Sequence, residues 1–215
     1  MAAAGGAVLL LGGPGVGKST LGRYLHSRHP TTSRFLSVGD ELRSRGLVRL
    51  QEEQPTAARR EEMRRTAREL LRRECSEWAD MAAACARAQE ERAGRASCST
   101  SPPAPCGAPV LILECVKEID DAFSVMQLLR EAGVPLLQVL YLPANVVSNN
   151  DVLWRFILQS PPSPTTIFAP RERERRVQER QAKWAANAGR LIEFFSSLGV
   201  LSESFQNVLF GSSLS

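Results

Sequence analysis

A glycine-rich stretch near the amino terminus, Gly-Gly-Pro-Gly-Val-Gly-Lys-Ser-Thr at residues 12–20, constrains this chain more than any other feature. It follows an uninterrupted apolar run at residues 7–11, which is typical of a strand buried on both faces of a parallel sheet. Glycine lets the backbone take positive φ values and approach a ligand closely. The sequence therefore predicts a strand, a tight loop and a helix that ends near residue 28.

Gly12, Gly17, Lys18 and Ser19 have the G-x-x-x-x-G-K-[ST] spacing of a phosphate-binding loop, or P-loop. Its N–H groups converge at a helix N-terminus, where the helix dipole also favours an anion. We expect Lys18 to reach the β- and γ-phosphates of ATP, and Ser19 to ligate Mg²⁺. The alternative is a strand-to-helix turn with an incidental lysine. The predicted ATP-binding residues are Gly13, Pro14, Gly15, Val16, Gly17, Lys18, Ser19 and Thr20.

The composition fits one globular α/β domain over residues 1–215, with 43% hydrophobic and 23% charged residues. No apolar run approaches the length of a membrane span, and no cationic leader precedes the P-loop. The net charge is +4, but no nucleic-acid-binding motif accompanies it, so we attribute the arginines to phosphate handling. We expect a monomer that binds small nucleotides and neither nucleic acid nor membranes.

The cysteines do not have the pattern of a disulfide framework or a zinc site. There are five, an odd number, and no C-x-x-C pair is present. Free thiols in a reducing compartment are expected, which favours the cytoplasm. The cysteines are Cys75, Cys85, Cys98, Cys106 and Cys115.

Strands and helices are predicted to alternate along the chain, which implies a three-layer α/β/α fold with a parallel sheet. Residues 54–92 are helical in composition, with Leu70, Leu71, Trp78 and Met81 as the buried face, and residues 93–109 resemble a flexible surface loop. The remaining strands are predicted at 34–38, 110–113, 137–142 and 199–201. The remaining helices are predicted at 120–132, 151–159, 171–195 and 205–210.

Two further motifs give the chain a resemblance to the adenylate kinase family of nucleoside monophosphate kinases. Residues 36–43, Leu-Ser-Val-Gly-Asp-Glu-Leu-Arg, are similar to the family's L-S-x-G-D-x-L-R segment. Near the end, Arg180 and Trp184 resemble the family's late R-L-x-x-Y helix. With the P-loop, the resemblance covers most of the chain outside residues 93–109.

The resemblance implies reversible transfer of the ATP γ-phosphoryl group to AMP or CMP/UMP, assisted by Mg²⁺. It implies that Arg43 and Gly39 bind the acceptor within a helical monophosphate-binding segment at 38–92. Arg180 would face the transferring group. Arg155 would be the arginine that opens the lid segment, and Arg171 and Arg173 would belong to a short lid at 159–176, although a solvated helix face is an alternative for each of these lid arginines.

The chain departs from the family after its central strand. Where the family has D-G-[FY]-P-R, this chain has Leu113-Glu114-Cys115-Val116-Lys117. Lys117 keeps the positive charge of the acceptor-binding arginine but loses its bidentate fork. Leu113 occupies the acidic Mg²⁺ position, and strand alternation would point the next residue, Glu114, the other way. Glu114 as a Mg²⁺ ligand and Glu114 as a solvated carboxylate both stay open.

Two positions bear on the choice of acceptor. Val38 stands where the family's adenylate kinases commonly have Thr and its uridylate–cytidylate kinases Ala. Asp121 occupies the slot of a Gln or Asn that faces the acceptor base in the family. A carboxylate there can accept a hydrogen bond from an amino-bearing base, as in AMP or CMP. The alternative is an acidic residue that caps a helix.

Two hypotheses from different functional classes follow. The first is an active, adenylate kinase-like phosphotransferase. The second is an ATP-binding pseudokinase that acts as an interaction module, since loss of the acidic Mg²⁺ position can lower the rate of transfer by orders of magnitude. Lys18, Arg43 and Arg180 all persist, which favours the first.

Overall fold

A computed structural model describes residues 5–48, 56–95, 107–143 and 170–202. Within those ranges the chain forms a sheet of five strands and five helices. The strands are β1 (Gly6–Gly12), β2 (Ser33–Ser37), β3 (Val110–Glu114), β4 (Leu136–Leu142) and β5 (Leu201–Ser202). The helices are α1 (Lys18–Arg28), α2 (Val38–Ser44), α3 (Ala57–Arg95), α4 (Ile119–Glu131) and α5 (Pro170–Ser197).

The sheet is parallel throughout, with the strand order β2-β3-β1-β4-β5. β1 lies at its centre, between β3 and β4, because its apolar residues are buried on both sides. The chain passes from β1 outward to β2 and β3 on one side, and to β4 and β5 on the other. A sheet of this kind binds ligands at the carboxyl ends of its strands, beside the strand where the chain changes from one side of the sheet to the other. That strand is β1.

Alternation along each strand divides the core between two faces. On one face, Leu9 of β1 packs in a large cluster that includes buried residues of α3, α4 and α5, among them Leu70 and Leu191. On the other face, Leu10 of β1 packs with Leu21 of α1. Helices therefore cover both faces, and the predicted three-layer α/β/α fold is confirmed.

The long helix α3 packs on the sheet through its middle turns. Leu70, Leu71, Cys75 and Trp78 are buried, and the Trp78 indole donates to the Pro109 carbonyl at 3.2 Å. The predicted buried face is confirmed in the three residues Leu70, Leu71 and Trp78, whereas Met81 is only partly buried. The helix ends at Arg95, inside the segment predicted as a loop at 93–109. Residues 96–106 lie outside the described residues.

The remaining boundaries agree with the predictions to within a few residues. α4 is followed by Gly133 with φ +67°, the left-handed conformation that glycine favours at the end of a helix. β2 ends one residue earlier than predicted, because the Ser37 hydroxyl accepts from the Asp40 N–H and Val38 already belongs to α2. The helices predicted at 151–159 and 205–210 lie outside the described residues.

Candidate functional site

The glycine loop connects β1 to α1 and has positive φ values at three of its glycines, Gly12, Gly15 and Gly17. Gly12 has φ +156°, and a Cβ there would lie 2.6 Å from the Leu142 carbonyl oxygen of β4. Gly17 takes a left-handed conformation, φ +89°, at the N-cap of α1. The backbone can therefore turn sharply from the end of the strand into the helix, as the P-loop pattern predicts.

The Lys18 side chain curls back over the loop instead of extending into solvent. Its ammonium donates to the carbonyl oxygens of Gly12 at 2.9 Å and Gly13 at 2.7 Å. Burial lowers the pKa of Lys18 below its ordinary value of 10.5, and the positive charge of Lys117 acts in the same direction, while Glu114 opposes both. The ammonium is thus held within the glycine loop, and its role in binding phosphate stays a prediction.

Glu114, the last residue of β3, reaches the P-loop. The Ser19 hydroxyl donates to its Oε2 atom at 2.5 Å, and the Lys18 Nζ atom lies 3.7 Å from its Oε1 atom. Leu113, by contrast, is completely buried in the larger core cluster. The Glu114 carboxylate therefore faces the phosphate-binding loop, whereas the Leu113 side chain points into the core.

The Ser19 and Glu114 oxygens suit a hard divalent cation. Mg²⁺ prefers oxygen ligands, and it usually binds to one or two protein groups together with substrate phosphates and water. No cluster of three or more His, Cys, Asp or Glu side chains with metal-binding geometry occurs in the described part of the chain. The Ser19 hydroxyl and the Glu114 carboxylate therefore fit a Mg²⁺ ion whose remaining ligands are nucleotide phosphates and water.

Lys117 lies between several charged groups in the turn after β3. Although its side chain is exposed in part, the surrounding protein partly desolvates the ammonium and lowers its pKa. Arg43 and Arg180 lower that pKa further, while Asp121 and Glu114 raise it. The charges of α2, α5 and the β3–α4 turn thus act on one region beside the P-loop.

Arg43 lies in the last turn of α2, and its guanidinium donates to the carboxylate of Asp40. Asp40 also accepts from Arg23 of α1 at 2.6 Å. The Arg43 guanidinium lies over Gly39, where a Cβ would be 3.6 Å from its Nη1 atom. Val38 is buried in the core, with 6% of its surface exposed.

Asp121 adopts the capping geometry that the sequence left as one of two alternatives. Its Oδ2 atom accepts from the backbone N–H groups of Lys117 at 3.0 Å and Glu118 at 3.1 Å. The carboxylate therefore stabilises the start of α4 and shapes the turn that carries Lys117. Contact with an acceptor base stays a prediction.

The late helix α5 contacts the P-loop through Trp184, a contact that the sequence motifs did not reveal. A Cβ on Gly13 would lie 3.0 Å from the Cδ1 atom of the Trp184 ring. Arg180 precedes Trp184 by about one helical turn. The only sequence signal for this packing is that spacing, which places both side chains on one face of the helix.

The predicted lid arginines cannot be placed in the site. Arg155 lies outside the described residues, as do the side chains of Arg171 and Arg173, although the backbone of both belongs to α5. The lid boundaries at 159–176 and their role stay predictions.

The cysteine beside Glu114 is not an activated nucleophile. Burial, first of all, raises the pKa of the Cys115 thiol, and the charges of Asp121 and Glu114 raise it further. The thiol therefore stays protonated, and the chemistry of the site rests on charged oxygen and nitrogen groups.

A separate cavity of about 1010 Å³ lies at the opposite, amino end of the sheet. It is lined mainly by apolar groups of α3 and α4, such as Trp78 and Met126, and by Pro109 and Pro135 next to the strands. None of the predicted site residues lines this cavity. The charged groups that fit phosphate chemistry lie at the carboxyl ends of the strands.

Comparison with known protein families finds the family described as "AAA domain" over residues 8–98. The match begins in β1, contains the P-loop and α1, and extends past the end of α3. A search of curated protein sequences finds no match. Together with the parallel sheet and the glycine loop, the family match supports a P-loop nucleotide-binding fold of the NTPase type. Among the described helices, none has both the length and the apolar character needed to cross a bilayer.

Proposed function

We propose that this protein is a nucleoside monophosphate kinase, which transfers the γ-phosphoryl group of ATP reversibly to AMP or CMP/UMP. The observation that carries the proposal is the meeting of Glu114 with Ser19 and Lys18 at the P-loop. Glu114 thereby provides a carboxylate beside the phosphate-binding loop, where phosphoryl transfer needs one to hold Mg²⁺. Leu113, at the position where the family that the chain resembles has its aspartate, is buried.

The residues divide into three groups by role. Residues 13–20 hold the phosphates of ATP, with Lys18 moving from the loop carbonyls to the phosphate oxygens. Ser19 and Glu114 would hold Mg²⁺, which when bound neutralises charge on the phosphates. Arg43 and Lys117 bind the phosphate of the acceptor, and Arg180 faces the group in transfer, because cations there oppose its accumulating negative charge.

The electrostatics of the site support a ligand with several negative charges. Desolvation and neighbouring cations lower the pKa values of both Lys18 and Lys117, so the charged forms of these two side chains are disfavoured. A phosphate group placed among them offsets that cost. A site built for a neutral or cationic ligand would gain nothing from this arrangement.

The acceptor is proposed to carry an exocyclic amino group, as AMP and CMP do, with Val38 and Asp121 near its base. The proposed moving parts are the segment from residue 43 to about residue 92, which would close over the acceptor, and a lid at 159–176, which contains Arg171 and is preceded by Arg155. Closure would exclude water and limit hydrolysis of ATP. We further propose that the protein acts as a cytoplasmic monomer.

A coupled assay that detects ADP, with AMP, CMP and UMP as separate acceptors, tests the proposal. Phosphoryl transfer that needs both Mg²⁺ and one of these acceptors is the expected result. Equal turnover of UMP would reject the amino-bearing base. ATP binding measured by calorimetry without ADP formation from any acceptor would reject the kinase and support the pseudokinase hypothesis.

A further inference from the structure

Trp184 packs directly on the backbone of the P-loop. A Cβ built on Gly13 would lie 3.0 Å from the Cδ1 atom of the indole, 3.3 Å from its Nε1 atom and 3.6 Å from its Cγ atom. The five-membered part of the ring therefore occupies the space that a side chain at position 13 would need. Helix α5 approaches the loop as closely as it does because Gly13 has no side chain.

The same indole also contacts the core. Trp184 is partly buried and packs against the larger core cluster, which contains Leu191 and Phe195 of the same helix. The ring thus packs against the core cluster on one side and against the backbone of the phosphate-binding loop at Gly13 on the other. A tryptophan has only two side-chain torsions, so a ring packed on two sides fixes the distance between the helix and the loop.

Arg180 lies four residues before Trp184 in α5, on the same face of the helix. Its charge acts on Lys117 beside the P-loop, so the guanidinium is within electrostatic reach of the phosphate-binding region. Any change in how α5 rests on the loop therefore moves Arg180 relative to the ligand.

We propose that Trp184 is a positioning residue, which holds Arg180 at the phosphate site by packing the α5 helix against Gly13. The inference rests on the role proposed for Arg180, and it adds that the packing of the indole contributes to where that arginine acts. Misplacement of a positioned group by about 1 Å can lower a rate by about 10²-fold, so the packing of Trp184 can affect what Arg180 does at the site.

A purely structural role for Trp184 makes a different prediction. If the ring only fills the core, its removal lowers stability and affects ligand binding independently of Arg180. If the ring acts through Arg180, the two effects cannot be independent, because a misplaced arginine and a missing arginine have the same consequence for the ligand. A double-mutant cycle separates these cases.

The cycle compares the full-length protein with the W184A, R180A and W184A/R180A variants, and the dissociation constant of ATP with Mg²⁺ is measured by calorimetry. We expect W184A to weaken ATP binding about tenfold, and to have less than a twofold effect once Arg180 is absent. W184F, which keeps an aromatic ring against Gly13, should restore most of the affinity. F194L is the matched control, because Phe194 lies on the same helix as Trp184 but packs against Phe123 of α4.

Two outcomes would overturn the proposal: an unchanged ATP affinity in W184A, or the same loss in the presence and absence of Arg180. If W184A gives no cooperative unfolding transition, W184L replaces it in the cycle, since leucine fills the core side but has no ring to reach Gly13. Because the cycle measures binding, it decides the role of Trp184 even if no acceptor is phosphorylated. Absence of ADP formation would count only against the kinase.

Discussion

The carboxylate of Glu114 connects the end of β3 to the P-loop, and strand alternation explains why. Glu114 shares its side of the sheet with Ile112, which packs in the cluster that contains Leu21 of α1. The P-loop turns into α1 on that same side. Alternation therefore points the Glu114 side chain away from the larger core cluster, where Leu113 lies, and toward the hydroxyl of Ser19.

The E114Q substitution tests this carboxylate, because it removes the charge but keeps the shape of the side chain. We expect kcat for phosphoryl transfer to fall by about 10²-fold and the Mg²⁺ concentration for half-maximal rate to rise, since the amide is a poorer ligand. The D120N variant is the control, because Asp120 is an exposed acid on the first turn of α4. A magnesium titration that is the same for E114Q and wild type would contradict the assignment.

The pH dependence of ATP binding tests Lys18, the lysine proposed to hold the ATP phosphates. Because burial lowers the pKa of Lys18 below 10.5, its ammonium group loses the proton at lower pH than an exposed lysine does. ATP prefers the charged form, so its affinity should fall as the pH rises, beginning below 10.5. Calorimetric titrations at increasing pH measure the effect.

K117Q tests the electrostatic cause of this pH dependence. Removal of Lys117 removes a neighbouring positive charge that lowers the pKa of Lys18. The fall in ATP affinity should therefore move to higher pH in this variant. An ATP affinity that stays constant up to the ordinary lysine pKa would show that the Lys18 ammonium group does not bind the phosphates.

Single residues were predictable from the sequence where a local motif fixes their position. The P-loop spacing placed Lys18 and Ser19 correctly at the start of a helix, because strand, loop and helix are contiguous in the chain. The orientation of Glu114 stayed open, since it depends on which side of the sheet the loop turns to. The contact of Trp184 with Gly13 joins residues at opposite ends of the chain, and no local pattern encodes it.

At the scale of elements, the turn into α4 depends on Asp121. We expect D121A to lower the free energy of unfolding by about 1 kcal/mol, because the N–H groups of Lys117 and Glu118 lose their acceptor. Chemical denaturation measures the change. D121N, which keeps an oxygen acceptor, should lose less stability, and equal losses in both variants would contradict the capping role.

The same two variants test whether Asp121 also reads the acceptor base. A base contact requires the ratio of kcat/KM for CMP over UMP to fall in D121N, because the amide can donate to a carbonyl where the carboxylate could only accept. Capping alone changes kcat/KM for both acceptors by the same factor. The two roles are thereby distinguished within one experiment.

Helix α3 is tied to β2 by a partly buried ion-pair network. Glu74, whose side chain is 8% exposed, accepts from Arg34 at 2.9 Å and from Arg73 at 3.1 Å, while Glu77, 41% exposed, pairs with the same two arginines. We expect E74A to lower the free energy of unfolding by about 1–3 kcal/mol. E77A, the matched control, should cost at most about 1 kcal/mol. Urea denaturation measures both values, and equal losses of unfolding free energy in E74A and E77A would contradict the prediction that the buried carboxylate contributes more.

Most elements were predictable because they have contiguous signals. The apolar runs gave β1, β3 and β4, and the glycine after α4 gave the end of that helix. The end of α3 was predicted too early, since its last turns are rich in Ala, Arg and Glu and lack a stop signal before residue 95. The Glu74 network escaped prediction, because an acidic residue in a charged helix gives no sign of its burial.

For the whole molecule, the strand order was the feature that the sequence did not contain. Alternating strands and helices implied a parallel sheet, but the pairing of β1 with both β3 and β4 is a long-range choice. That order brings the end of β3, with Glu114, next to the P-loop. It also aligns Ser37, at the end of β2, with Glu114, so that α2 begins beside the same site.

The proposed function divides phosphate binding between two parts of the molecule, the P-loop for ATP and α2 for the acceptor. Arg43 is proposed for the second of these sites. R43A should therefore raise the KM of the acceptor at least tenfold, while the KM of ATP changes less than twofold, because a charge-assisted contact to phosphate contributes about 1.5–3 kcal/mol. Initial rates with each substrate varied in turn measure both constants.

R45A is the matched control for this prediction. Arg45 follows the same helix and pairs with Glu41 at 3.8 Å, and it has nearly the same exposed fraction as Arg43, 43% against 45%. Its removal takes away an equal charge without affecting Gly39 or Asp40, so both KM values should stay near those of the wild type. Equal increases in both KM values for R43A would mean that α2 serves the two ligands alike, and the division of the molecule into two phosphate sites would then be wrong.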